Sequence, residues 1–117
     1  MRCTCLLIIL GLFFTQFTGC YKREASVIPV CVSELIKQIE SEPVSNPPRS
    51  VWQYSYKGKV VYYIPSICCD IPSRLVDSDC QLLCNPDGGF TGAGDGKCTD
   101  FFATRTNEKL IWKDKRK

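Results

Sequence analysis

The 117-residue chain contains no histidine and a single methionine. No apolar run in it approaches the roughly twenty residues that a membrane-crossing helix needs. Without histidine there is no Ser-His-Asp or Cys-His catalytic set. The commonest general base and the commonest zinc ligand are missing with it. A dominant charge of one sign is also lacking: fifteen Lys and Arg stand against twelve Asp and Glu, a formal net charge of +3. So even a balance argues against a nucleic-acid binder, which shows a strongly basic face. The phosphate-cradling pattern G-x-x-x-x-G-K-[ST] is absent, since Gly96-Lys97 is followed by Cys98. What the chain has in abundance is cysteine, nine in all.

Residues 1–19 read as a leader. Arg2 supplies one positive charge, Leu6 to Phe14 is a short apolar stretch, and the small Gly19 precedes Cys20. These are the features of a secretory signal; the alternative is an uncleaved N-terminal anchor. Phe17-Thr18-Gly19-Cys20 resembles the lipobox of bacterial lipoproteins, in which the cysteine is acylated and becomes the new N-terminus. Phe17 departs from the usual Leu but is apolar. Cleavage discards Cys3 and Cys5 and leaves seven cysteines, an odd number for an exported protein. Acylation of Cys20 leaves an even six; ordinary secretion with Cys20 in a disulfide is the competing reading. Residues 20–29 form a short tether, and 30–117 a small single domain.

Within that domain Val32, Leu35, Ile36 and Ile39 follow the spacing of one helical face. A helix is expected at about Cys31 to Ser41, with Ser33 as its cap and Cys31 on the buried stripe. Val51 to Tyr56 and Lys59 to Ile64 are aromatic and β-branched runs separated by Lys57-Gly58, a β-hairpin signature. The alternation puts Trp52, Tyr54 and Tyr56 on one face with Lys59, Val61 and Tyr63. Val51 and Ser55 fall on the other, with Val60, Tyr62 and Ile64. The aromatic face is expected to be core packed under the helix, with a ligand platform as the alternative. Residues 66–98 read as loop, and a last strand is expected at Lys109 to Trp112. The fold class is therefore α+β: one N-terminal helix on an antiparallel sheet, followed by a loop-rich, stapled C-terminal half.

Cys31, Cys68, Cys69, Cys80, Cys84 and Cys98 form either a disulfide framework or a metal site. Export favours disulfides, and neither the adjacent pair nor the C-x3-C spacing suits zinc. Six cysteines allow fifteen pairings. Adjacent Cys68 and Cys69 would close a strained eight-membered ring, so each is expected to find a different partner. A redox-active vicinal pair is the minor alternative. The Gly/Asp-rich loop at 87–100 offers Asp87, Asp95 and Asp100 as oxygen donors for calcium, but D-x-[DN]-x-[DN]-G-x5-E is absent, and Asp and Gly are also ordinary turn residues.

Asn46-Pro47-Pro48, the 52–63 hairpin, Cys68-Cys69-Asp70 and the run Cys84-Asn85-Pro86-Asp87-Gly88-Gly89-Phe90-Thr91-Gly92-Ala93-Gly94-Asp95-Gly96-Lys97-Cys98 come in that order. Together they resemble domain of unknown function 6970, a family of small exported proteins with many lipoprotein-like members in the Bacteroidota. The resemblance covers about Cys31 to Trp112. It implies a shared fold and address and brings no catalytic residue. The expected protein is a lipid-anchored component of the cell envelope, on the outer membrane of a Gram-negative bacterium. Its expected role is a non-catalytic binding or structural module, without metal or cofactor. It is expected to touch the membrane through Cys20, to bind no nucleic acid, and to meet an envelope protein or glycan. The alternatives are a calcium-dependent binding domain using loop 87–100 and a small hydrolase.

Overall fold

A computed structural model describes residues 27–117. The leader, Cys20 and residues 21–26 of the tether lie outside the described residues. Helix α1 spans Val30–Ser41. It buries Val32 and Ile39 completely, with Leu35 and Ile36 packed beside them, so the apolar stripe is the packing face. Ser33 is not its cap: the first helical hydrogen bond runs from the Ser33 amide to the Pro29 carbonyl, which places Ser33 inside the first turn.

Strands β1 (Ser50–Tyr56) and β2 (Lys59–Ile64) form the hairpin, with Tyr54 opposite Val61 and Tyr56 opposite Lys59. Lys57 and Gly58 both have positive φ, 49° and 74°. That pair of left-handed residues makes the tight turn whose twist matches the strands. Three further strands complete the sheet: β3 (Arg74–Val76), β4 (Leu82–Cys84) and β5 (Thr106–Lys113). The order is β4-β3-β2-β1-β5 and every pairing is antiparallel. The second half is thus less loop-like than its glycines suggest, because β3 and β4 lie within the expected loop. One turn of helix, α2 (Phe101–Thr104), precedes β5. The protein is a small disulfide-stapled α+β domain, and among its described residues no helix is long and apolar enough to cross a membrane.

The two sheet faces carry separate cores. Val51, Tyr62, Ile64 and Val76 pack with Val32 and Ile39 under α1. Tyr54, Tyr56, Val61, Tyr63 and Leu75 pack instead with Cys84, Cys98 and Phe101, and Trp52 lies against their edge. This corrects the expectation that α1 covers the aromatic stripe. The stripe is core, but its cover is the segment from Cys84 to α2. Both faces are apolar, so hairpin alternation alone gives no reason for the helix to choose one.

The cysteines form three bonds: Cys31–Cys80, Cys84–Cys98 and Cys68–Cys69. The last overturns the expectation of different partners. Cys69 sits at φ 57°, in a turn closed by a hydrogen bond from the Ile71 amide to the Cys68 carbonyl. In that left-handed conformation the two neighbours meet. The first two bonds occupy the other four described cysteines, and among the described residues Cys68 and Cys69 pair with each other.

Candidate functional site

The aromatic face is built around Phe101, which is fully buried. Tyr54, Tyr56 and Tyr63 surround it with ring centroids 5.5, 5.3 and 5.6 Å away, the first two edge-on. Each tyrosine hydroxyl donates to a carboxylate: Tyr54 to Glu108 at 2.8 Å, Tyr56 to Asp100 at 2.6 Å and Tyr63 to Asp87 at 2.9 Å. Burial and these bonds push the Tyr54 pKa up to about 12 and raise those of Tyr56 and Tyr63. The Arg105 guanidinium lies over Tyr54 at 4.6 Å and over Phe102 at 4.7 Å. The rings therefore face one another and leave no open platform for a ligand.

The same bonds account for the acidic residues of the 87–100 loop. Asp87 accepts from the hydroxyls of Tyr63 and Ser73, and the Ser73 amide donates to the Asp87 carbonyl at 3.0 Å. The Asp95 carboxylate accepts from the Asn85 and Lys97 amides, each at 3.0 Å. Its pKa falls below the ordinary carboxylate value, mainly through the Lys97 amide. Asp100 is lowered as well, first by the Tyr56 hydroxyl. Among the described residues no three acidic or cysteine side chains gather in a way that could hold a metal ion. Asp87, Asp95 and Asp100 shape the loop separately. Gly94 has to be glycine here, because a Cβ would overlap the Asn85 carbonyl oxygen and come within 2.8 Å of the Asp87 amide.

Two hollows remain. The larger, of about 630 Å³, runs along the end of β5 past Glu40 and is lined through Arg116. Arg116 and Asp114 in it are engaged with each other and with the end of α1. Arg116 pairs with buried Asp114 at 2.7 Å and donates to the Glu40 and Glu42 carbonyls at the end of α1, at 2.7 and 3.1 Å. That arrangement caps a helix.

The smaller hollow, of about 390 Å³, lies on the aromatic side and falls within the range of small-ligand clefts. Tyr56, Val61, Leu83 and the Cys84–Cys98 bond give it apolar walls; Lys57, Lys59 and Lys97 rim it. No carboxylate lines it among the described residues. Lys57 sits 5.1 Å from the Tyr56 ring centre and 3.9 Å from Asp100, and contact with the Tyr56 hydroxyl is the chief influence raising its pKa. A cationic rim over an apolar floor suits an anion with a carbon skeleton. Reading the sequence misses this cleft, because Lys97 lies 38 positions from Lys59 and reaches it only in the folded chain, beside the Cys84–Cys98 bond. Lys57-Gly58-Lys59, two lysines held at a hairpin tip, is the one local signal.

Two stretches of the chain that stand out in the sequence also meet. The turn holding Cys68, Cys69 and Asp70 lies against the glycine loop: Pro72 bridges to Gly88, and a Cβ on Gly88 would stand 3.0 Å from the Ile71 carbonyl oxygen. Ser66 hydrogen-bonds the same carbonyl. Residues 37–114 match the family described as Domain of unknown function (DUF6970). The chain belongs to that family. The DUF6970 match takes in the whole sheet, both motif stretches and all three lysines of the cleft. No curated protein and no solved structure matches the chain. Cys20 falls outside the described residues, so its place relative to the cleft is not part of this geometry.

Proposed function

We propose that this protein is a lipid-anchored cell-envelope module that binds an anionic ligand, a carboxylate- or phosphate-bearing glycan, without transforming it. Residues 1–19 direct export, Cys20 carries the acyl chains, and the tether holds the domain at the outer membrane of a Gram-negative bacterium. More than one acyl chain is needed for stable anchoring, as lipoprotein modification supplies. The observation that carries the binding reading is the cleft, with Lys57, Lys59 and Lys97 around apolar walls and no acidic residue lining it. A catalytic role has less support. Glycoside hydrolysis uses a carboxylic acid whose pKa is raised, whereas Asp95, Asp100 and Asp114 are all shifted downward by hydrogen bonds from their neighbours.

One set of samples tests both halves. Protein extracted from membranes should carry a diacyl or triacyl adduct on an N-terminal Cys20, and Cys20→Ser should move the domain to the soluble fraction. An unmodified N-terminus, or Met1 still attached, rejects the anchor. Calorimetric titration with oligogalacturonate should show binding that weakens at least tenfold in Lys59→Glu/Lys97→Glu, with neutral dextran inert. Equal affinity in that variant rejects the cleft. A melting temperature raised by calcium alone favours the calcium-dependent alternative.

A further inference from the structure

The three disulfides differ in what they do for the chain. Cys31–Cys80 spans 49 positions and ties α1 to the segment before β4; Cys84–Cys98 spans 14 and is buried in the aromatic core. Cys68–Cys69 joins neighbours and closes no loop. The stabilisation of a disulfide in the chain-entropy picture comes from the loop it closes, so this bond contributes almost nothing to tertiary stability. It is also the pair in which both residues are exposed, while Cys84 and Cys98 are 2% and 5% exposed. Cys69 is held in the left-handed region, which a non-glycine side chain disfavours. Cys80 shares it at φ 60° but is half-buried and closes a 49-position loop, so exposure and the ring between neighbours single out the 68–69 pair. Exposed and strained disulfides are the ones that exchange.

We propose that Cys68–Cys69 is a thiol–disulfide exchange site, opened by a dithiol while the other two bonds stay closed. A thiolate of the dithiol attacks the sulfur of one of the two cysteines; the Cys68–Cys69 bond breaks and the other cysteine leaves as a thiolate. The second dithiol sulfur then attacks the mixed disulfide and leaves with its partner as a cyclic or protein disulfide. Two electrons and two protons pass to the protein, which ends with two thiols. The backbone around the pair is the responsive part. Freed from the ring, Cys69 relaxes toward negative φ, and the turn that seats the Ile71 carbonyl against Gly88 shifts with it. The exchange site thereby controls the conformation of the adjoining glycine loop.

Graded dithiothreitol on the full exported chain tests this, followed by quenching with an alkylating reagent under denaturing conditions and tryptic mapping. Residues 60–74 form a tryptic peptide containing Cys68 and Cys69 and no other cysteine. That peptide should take two labels at a dithiothreitol concentration at least tenfold below that needed for the other four cysteines. Amide-proton NMR changes at that point should be confined to about residues 66–73 and 87–93. Opening of all three bonds together, opening of this pair last, or free thiols at 68 and 69 in freshly exported protein overturns the proposal. As a second reading on the same site, Cys68→Ser/Cys69→Ser should keep its melting temperature within about 2 °C of the parent; a larger fall makes the bond structural and also overturns it.

Discussion

The two faces of the sheet solve the same burial problem with different chemistry. Under α1 the core is mostly aliphatic: Val32, Ile39, Val51, Ile64 and Val76, with Tyr62 the one buried ring. Across the sheet it is aromatic, and its rings are tethered by carboxylates: Tyr54 to Glu108, Tyr56 to Asp100, Tyr63 to Asp87. Aliphatic burial is non-directional and tolerates small repacking. A ring with a buried hydroxyl must meet a partner at a set distance and angle. The directional face thus fixes the course of a glycine-rich segment that has little regular structure of its own. The aliphatic face needs only a helix laid across it.

Truncating each core should expose that difference. Phe101→Ala removes the side chain that contacts Tyr54, Tyr56 and Tyr63, and should cost about 5 kcal/mol in urea unfolding, the upper end for a fully buried aromatic. Ile39→Val, on the helix face, should cost only about 1 kcal/mol. Near-ultraviolet circular dichroism at a denaturant concentration below the transition should change in the first variant and not in the second. An unchanged near-ultraviolet spectrum in Phe101→Ala would show that the aromatic arrangement adds nothing to plain burial.

The staples sharpen the comparison next. Replacing Cys31 and Cys80 by Ala opens the longer loop and should cost about 4 kcal/mol by chain entropy; replacing Cys84 and Cys98 should cost about 3 kcal/mol. If loop length governs, the helix-side bond matters more. A reversed order in thermal unfolding would mean that the burial of Cys84 and Cys98 among the rings outweighs the loop term.

The smallest effect is the response to pH. Tyr54, Tyr56 and Tyr63 keep their protons in the folded state at pH values where the unfolded chain has lost them. Their contribution is therefore complete below a tyrosine's ordinary pKa of about 10 and is lost as pH rises through the folded values, about 12 for Tyr54. Melting temperature should fall between pH 10 and 12, and less steeply in Tyr54→Phe. At the acid end the sign reverses. Asp95, Asp100 and Asp114 are depressed, so their contribution is present above the ordinary carboxylate pKa of about 3.9 and declines below it. An alkaline limb unchanged by Tyr54→Phe would remove this tyrosine from the account.

The parts of the fold that were legible in the sequence are those with a local cause. Val32, Leu35, Ile36 and Ile39 announce α1 by their spacing, and Lys57-Gly58 announces the hairpin because few pairs accept two positive φ values. The choice of face for α1 was not legible, since Val51, Tyr62 and Ile64 are as apolar as Trp52, Tyr54 and Val61. Strands β3 and β4, three residues each, are too short to show a period and are specified by their neighbours. The candidate site was less legible still. Asp87, Asp95 and Asp100 stand close in sequence, but their partners (Tyr63, Asn85 and Tyr56) come from elsewhere. Cys68 and Cys69 mislead in a similar way: ring strain argues against their bond only until the backbone at Cys69 turns left-handed.

Strand β5 and Arg116 determine when this domain can finish folding. The central strand β1 takes its second neighbour from Thr106–Lys113, and α1 receives its cap from Arg116, 76 positions after Glu40. An N-terminal fragment that ends before β5 has a sheet with an open edge at Trp52 and a helix whose last carbonyls are uncapped. A chain that emerges N-terminus first, as from a ribosome, therefore cannot complete the domain until its final strand is free.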